Sequence, residues 1–286
     1  MSWLNRNRHP GLRVLDPFDC KDVLRFLDER PVDAVLARVA VEDMGLAGGR
    51  GLGLFDQSNA LTAFAWVYGN IIPLGFDSGG LDLLAERLLG RRWRATSMVG
   101  PRDQVMGLWE RIEKEHGPAR EIRQLQYSMV MGETLQVEPD PLVRAALPSD
   151  FPLVFPASVA MYIEEVGSDP TVYGNVYERR AEGLVNRGHT FIRLGPALDG
   201  SGQRIVFKAD VGALAGGVAQ IQGVWVPPDM RGQGIATAGI AATVALVRQR
   251  ISPTISLYVN DFNETAVAVY KKVGFDVAGE WSTIFI

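Results

Sequence analysis

Cysteine occurs once, at Cys20, so no disulfide can form within the chain and no thiolate cluster can hold a metal. Histidine is almost as scarce. His9, His116 and His189 lie far apart, which argues against both a zinc site and a Ser-His-Asp arrangement, so no metal is expected. An excess of positive charge is missing as well: with a formal charge of −4 and a pI near 5.5, the chain has no basic footprint of the kind nucleic-acid binding needs. Long apolar runs are absent. The most apolar region, Asn59 to Phe76, is broken by Thr62, Gly69, Asn70 and Pro73 and falls short of a membrane span, so no membrane partner is expected. The segment MSWLNRNRHPGLRVL has positive charge but no apolar stretch behind it, which reads as no secretory signal and a cytoplasmic location.

What is present describes a globular α+β protein. The 286 residues are 47% apolar and 22% charged, ample for two ordinary cores or one large one. Pro139, Pro141, Pro148, Pro152 and Pro156 punctuate the middle and place a domain boundary near Glu138, giving domains 1–137 and 138–286. The first half reads as mixed α and β: two short helices interrupted at Pro31, a glycine-rich turn at Gly48 to Gly53, and an antiparallel meander of GLGLF, LTAFAWVYG and NIIPLGF. Helix, strand, helix and strand follow, from GGLDLLAERLLG to IRQLQYSMVM. The second half reads as a short strand, two helices, three strands, a loop, the helix GIATAGIAATVALVRQR, the strand TISLYVN, the helix NETAVAVYKKVG and a last strand. TSMVGPRDQVMGLWERI and ISLYVNDFNETAVAVYKKV echo each other faintly, each a strand, loop and helix with an aromatic, Trp109 or Tyr270, at similar distance.

The stretch VWVPPDMRGQGIATAG, Val224 to Gly239, carries the clearest chemistry. A strand that runs through a glycine-containing turn into a helix leaves unpaired N–H groups at the helix start, where the helix dipole also favours negative charge. Gly232 and Gly234 permit close approach, and Arg231 adds a charged donor, so a phosphate or pyrophosphate is the simplest ligand. The loop lacks the Lys-Ser/Thr ending of a P-loop and the spacing of the dinucleotide fingerprint. The glycines at 48, 49, 51 and 53 have no helical pattern behind them and read as a hairpin or loop.

Arg231, Gly234 and Ala236, spaced Arg-x-x-Gly-x-Ala, resemble the acyl-CoA pyrophosphate loop of the GNAT superfamily of N-acyltransferases. SLYVNDFNETAVAVYKKVGF resembles the second signature of that superfamily, with Asn260 ending a strand, Asn263 opening a helix, Tyr270 inside it and Gly274-Phe275 closing it. The two motifs lie in the family's order and cover about Leu142 to Ile286. The chain as a whole resembles actinobacterial proteins that place an uncharacterised N-terminal domain before such a domain.

The resemblance implies a GNAT fold, a central and mostly antiparallel sheet flanked by helices, preceded by a degenerate GNAT-like domain that walls the acceptor cleft without binding CoA. It implies acetyl-CoA as cosubstrate and direct attack by a primary amine of unspecified identity. Val224, Trp225 and Val226 would pair with the pantetheine arm, and an N–H near Trp225 or Val226 would polarise the thioester. Arg231, Gly232, Gln233, Gly234, Ile235, Ala236 and Thr237 would hold the pyrophosphate. Asn260 and Asn263 would touch the cofactor, Asn263 serving also as a helix cap. Tyr270 would bind the cofactor and give a proton to the departing thiolate.

The general base is less clearly marked. Where many family members carry a glutamate on the strand before the loop, AQIQGVWV has Gln220 and Gln222, neither of which can take a proton. Glu164 and Glu165 on the first helix of the second half are the carboxylates to inspect, with relay through water or capture of neutral amine equally open. A non-catalytic acyl-CoA-binding protein and an enzyme for longer acyl chains are the rival readings.

Overall fold

The computed structural model describes residues 11–90, 94–200 and 202–286. The reading of the N-terminal ten residues lies outside them. The chain forms two compact units, Met1–Ser128 with Ala278–Ile286, and Met129–Val277. Among the described residues no helix is long and apolar enough to cross a membrane.

The first unit runs β1 (Gly11–Val14), α1 (Cys20–Asp28), α2 (Pro31–Met44), β2 (Gly51–Phe55), β3 (Leu61–Leu74), α3 (Ser78–Leu89), β4 (Arg94–Pro101), α4 (Arg102–His116) and β5 (Glu121–Met131). Pro31 opens α2 at a position where its missing N–H costs nothing, which is why the helical pattern breaks there without ending. β1 pairs antiparallel with β2, and β2 with β3. The expected three-stranded meander is not what forms. LTAFAWVYG and NIIPLGF are one strand, because Gly69 at φ 73° makes an irregularity in the ladder and not a turn. Beyond it β3 pairs parallel with β4, Tyr68 to Ile71 facing Arg94 to Met98, so the second half of the strand serves a crossover through α3. Ile71, Leu84, Met98, Val105, Leu108 and Ile112 are wholly buried in the core between this sheet and α3 and α4.

The second unit runs β6 (Arg144–Ala145), α5 (Phe151–Val166), α6 (Val176–Asn186), β7 (Thr190–Pro196), β8 (Gln203–Ala215), β9 (Val218–Trp225), α7 (Ile235–Arg250), β10 (Thr254–Asn260), α8 (Glu264–Val273) and β11 (Phe275–Phe285), whose end belongs to the first unit. Its strands lie in the order β10-β9-β8-β7-β6. The pairs from β6 to β9 are antiparallel, whereas β9 and β10 are parallel and joined by α7. The small residues of α7 let it pack closely: an added Cβ at Gly239 would lie 2.7 Å from the ring of the fully buried Phe207 on β8.

Each unit carries the same clasp ahead of its first helix. In LRVLDPFD, Arg13 donates to both oxygens of Asp19 at 2.8 and 2.7 Å, and Asp19 also accepts from the Asp16 N–H at 2.9 Å. In VRAALPSD, Arg144 donates to both oxygens of Asp150 at 2.6 and 3.0 Å, and Asp150 accepts from the Leu147 N–H at 2.7 Å. Each clasp ties the first strand of its unit to the turn, at Pro17 or Pro148, that leads into the first helix. A planar fork facing a carboxylate fixes orientation as well as distance, so the repeated Arg-x-x-x-Pro-x-Asp sets the same strand-to-helix geometry twice. The Arg144 bond, then the Leu147 N–H, hold Asp150 below the usual carboxylate range.

Candidate functional site

Two neighbouring strands of the second unit part company where the sequence placed the cofactor. The β9–β10 ladder covers Val218 to Gln220 against Thr254 to Ser256. Among the described residues, Ile221 to Trp225 have no partner on β10, and Val224 and Trp225 on this free edge are half-buried while Val226 is buried. A splayed parallel pair leaves main-chain donors and acceptors facing a gap that an extended, amide-containing chain can fill.

The edge leads through Pro227 and Pro228 into the loop Arg231 to Gly234 and then α7. Gly232 and Gly234 adopt φ 76° and 77°, a region that excludes ordinary side chains, and an added Cβ at either would point into open space. The first hydrogen bond of α7 runs from Ala238 N to Gly234 O at 3.1 Å, so the amides of Ile235, Ala236 and Thr237 lie ahead of it. Gly234 at the N-cap has no side chain to accept them. Gln233 is exposed, with its amide reaching the Asp229 carbonyl at 3.5 Å.

The equivalent crossover of the first unit is closed. There α3 follows β3, and its N-cap Asp77 accepts from the Gly80 N–H at 2.7 Å. A carboxylate of the chain itself thus occupies the position where an anion would sit at α7.

Arg231 does not stand free. Its Nε donates to the Val226 carbonyl at 3.0 Å and its Nη2 to Glu164 Oε2 at 2.5 Å, while the other Glu164 oxygen accepts from the Trp225 indole at 3.1 Å. Glu164 therefore ties the end of α5 to the strand end and the loop. Glu165, the next residue, accepts from Asn260 at 3.3 Å. Asn263 caps α8 by accepting from the Ala266 N–H at 3.2 Å, as its type and place suggested.

Tyr270 on α8 is buried, its ring edge-on to Phe275 at 5.9 Å. Burial first, and the Glu165 charge second, push its phenol above the ordinary tyrosine range. The neutral, proton-bearing form is therefore the one the site holds. Glu164, Trp225 and Arg231 form one cluster at this site, and Glu165 with Asn260 and Tyr270 forms another.

A feature the sequence reading passed over lies beside the free edge. α5, α6 and β7 to β9 enclose a cavity of about 320 Å³. Its lining includes Tyr162 and Tyr177, whose rings meet edge-on at 5.0 Å, and Asp210 of β8. Asp210 is almost buried. Its Oδ1 accepts from the Thr190 hydroxyl at 2.8 Å, and its Oδ2 from the Nζ of Lys208, which is 1% exposed. Gln222, opposite Asp210 in the ladder, donates its amide N–H to Gln220 Oε1 at 2.9 Å. The signal was available: in IVFKADVGALA, Lys208 and Asp210 stand two apart, on one face of an otherwise apolar run.

Comparison with known proteins bears on the family and the fold. Residues 191–275 match the acetyltransferase (GNAT) family, which uses acetyl-CoA as cosubstrate, and residues 49–154 match a domain of unknown function, DUF4081. An uncharacterized N-acetyltransferase of Methanocaldococcus jannaschii is 37% identical over 59 residues, a match spanning 21% of this chain and 26% of that protein. Among solved structures, a GNAT-family acetyltransferase from Colwellia psychrerythraea aligns with TM-score 0.58 at 13% identity, covering 96% of this chain and 99% of the other. A tandem GNAT protein from the clavulanic acid biosynthesis pathway aligns with TM-score 0.55 at 13% identity, covering 96% and 97%. At these identities the structural matches show the fold alone.

Proposed function

We propose, from a C-terminal domain that belongs to the acetyltransferase (GNAT) family, that this protein is an acetyl-CoA-dependent N-acetyltransferase with its working site in the second unit. The observation that carries the reading is the contrast between the two crossovers: α7 begins at Gly234 with its amides uncapped, and α3 begins at Asp77 with its own carboxylate in place. The first unit is, on this reading, a degenerate GNAT-like copy that binds no CoA by this route.

Acetyl-CoA supplies a thioester that an amine can attack directly, taking the acetyl group as the thiolate leaves. Val224 to Val226 would line the pantetheine arm, and a fixed N–H at Trp225 or Val226 would stabilise charge on the thioester oxygen, a contribution that reaches about 10²- to 10³-fold in other acyl transfers. The amides of Ile235 to Thr237 would take the pyrophosphate. Tyr270, kept protonated by burial, would give its proton to the sulfur, and Asn260 and Asn263 would border the same arm.

A second reading, a non-catalytic acyl-CoA-binding protein, is favoured by Gln220 and Gln222, which bond to each other where many relatives hold a base. Release of CoA thiol from acetyl-CoA, with and without a panel of primary amines, separates the two. Amine-dependent release supports the enzyme, whereas tight acetyl-CoA binding with no release for any amine supports the binding protein.

A further inference from the structure

Lys208 and Asp210 form an ion pair buried in the second unit, Lys208 being 1% exposed, and the fold alone does not explain it. Taking both ions out of water is expensive, and an apolar pair of similar volume would serve the fold at least as well. Yet β8 carries it, and Gly223 on β9 is shaped around it: an added Cβ there would lie 2.9 Å from Asp210 Oδ2 and 3.3 Å from Lys208 Nζ. Gly223 also has φ 57°, so backbone and side-chain space both require glycine at this point. It precedes Val224, the start of the free edge. The carboxylate therefore borders the strand along which the thioester would lie, directly across the ladder from Gln222, which cannot act as base.

We infer that the cavity between α5, α6 and β8 is the acceptor subsite, that it takes a small primary amine carrying an aromatic or branched apolar group, and that Asp210 receives the proton the amine nitrogen sheds. This inference rests on the acetyltransferase reading. Asp210 is the one carboxylate lining the cavity among the described residues. A carboxylate offers about four lone-pair sites, and Lys208 and Thr190 use two, which leaves room for a substrate N–H. Lys208 and Thr190 are both 1% exposed and fix the carboxylate in place, so it meets the substrate without reorganising. Tyr162, Tyr177, Val154, Met161 and Leu184 supply the apolar wall, and Arg180 stands at the exposed rim, donating to Gln222 at 3.4 Å. About 320 Å³ lies at the lower end of the ~300–1,000 Å³ typical of small-ligand sites.

The step balances. The lone pair of the neutral amine forms the N–C bond, the C–S bond breaks, the nitrogen's proton passes to Asp210, and the departing thiolate takes the Tyr270 proton. Asp210 then releases a proton to solvent and Tyr270 regains one.

The test uses the full chain with 2-phenylethylamine and, as an amine without an apolar body, putrescine. In wild type, kcat/KM for phenylethylamine should exceed that for putrescine by about 10- to 200-fold, the range a hydrophobic pocket supplies. Asp210→Asn should lower kcat by about 10²- to 10⁴-fold and weaken phenylethylamine binding to the CoA-saturated protein in calorimetry, with acetyl-CoA affinity unchanged. Because that variant strands Lys208 and can unfold, Met161→Trp provides a second test. Met161 Cε lies 3.2 Å from the Gly223 Cβ position, and filling that space should raise KM for phenylethylamine about 10-fold or more at unchanged acetyl-CoA affinity. Full kcat in folded Asp210→Asn, a preference for putrescine, or an unchanged KM in Met161→Trp overturns the inference while leaving the acetyltransferase reading intact. Failure of wild type to bind acetyl-CoA overturns both.

Discussion

Glu164→Gln separates two jobs that one side chain performs. Glu164 neutralises Arg231 through a 2.5 Å bond and holds the Trp225 indole at 3.1 Å. The pair is surface-exposed, 42% for Glu164 and 49% for Arg231, so its contribution to stability falls within the roughly 0–1 kcal/mol of exposed ion pairs. The amide keeps an oxygen to accept from the indole but turns a donor toward Arg231, so the charge and that hydrogen bond are lost together. For an anionic ligand the sign reverses. A like charge about 4 Å away in water repels a phosphate by about 1 kcal/mol, so its removal should tighten acetyl-CoA binding about fivefold and free the guanidinium for the pyrophosphate. The assay is calorimetric titration of wild type and variant at low and high salt, with thermal unfolding as a control. The gain should shrink at high salt, because exposed charges are screened. Weaker binding in the variant at unchanged stability would refute the reasoning and make Glu164 a support that aims Arg231, not a competitor for it.

Tyr270→Phe should lower kcat about 10²- to 10⁴-fold at nearly constant acetyl-CoA affinity. Because burial and Glu165 raise the phenol's pKa, the wild-type rate should show no loss from tyrosine ionisation up to about pH 10, the ordinary tyrosine value, in a steady-state pH profile. Gly239→Val should destabilise the protein by about 1–3 kcal/mol in denaturant titration, because the new side chain meets the Phe207 ring at a distance no relaxed packing allows. Asp150 has a lowered pKa, so its clasp stabilises the fold above the ordinary carboxylate value and the contribution is lost as pH falls through the lowered one. Asp150→Asn should therefore be less stable than wild type at neutral pH, with the gap closing in acid unfolding below about pH 4.

Much of this site is written in local sequence. The Arg-Gly-Gln-Gly turn, the cap at Asn263 and the glycine ending α8 each depend on a few adjacent residues whose conformational needs are specific, and each is where the sequence placed it. Features set by pairing were harder to see. Gly69 could be a turn or a bulge, and only the parallel ladder with β4 decides between them. Glu164 and Glu165 were singled out as carboxylates to inspect for the base, but nothing in their spacing announces that one meets Arg231 and the other Asn260. Asp210 sits in a strand that reads as plain core, and its importance comes from Gln222 across the ladder and from the helices that roof the cavity. The Arg-x-x-x-Pro-x-Asp spacing stands in the sequence of both units, but the sequence reading passed over it. It is a stronger mark of likeness than the strand-and-helix echo, because it repeats particular hydrogen bonds.

The central claim is that the opening of α7 holds the pyrophosphate of acetyl-CoA. Calorimetric titration of acetyl-CoA into wild type and Gly234→Trp tests it most directly, with circular dichroism to confirm that both are folded. The account predicts saturable binding to wild type and none to the variant, whose indole, attached at a φ of 77°, would strain the turn and cover the exposed amides. Equal binding by both proteins, or none by wild type, would contradict it.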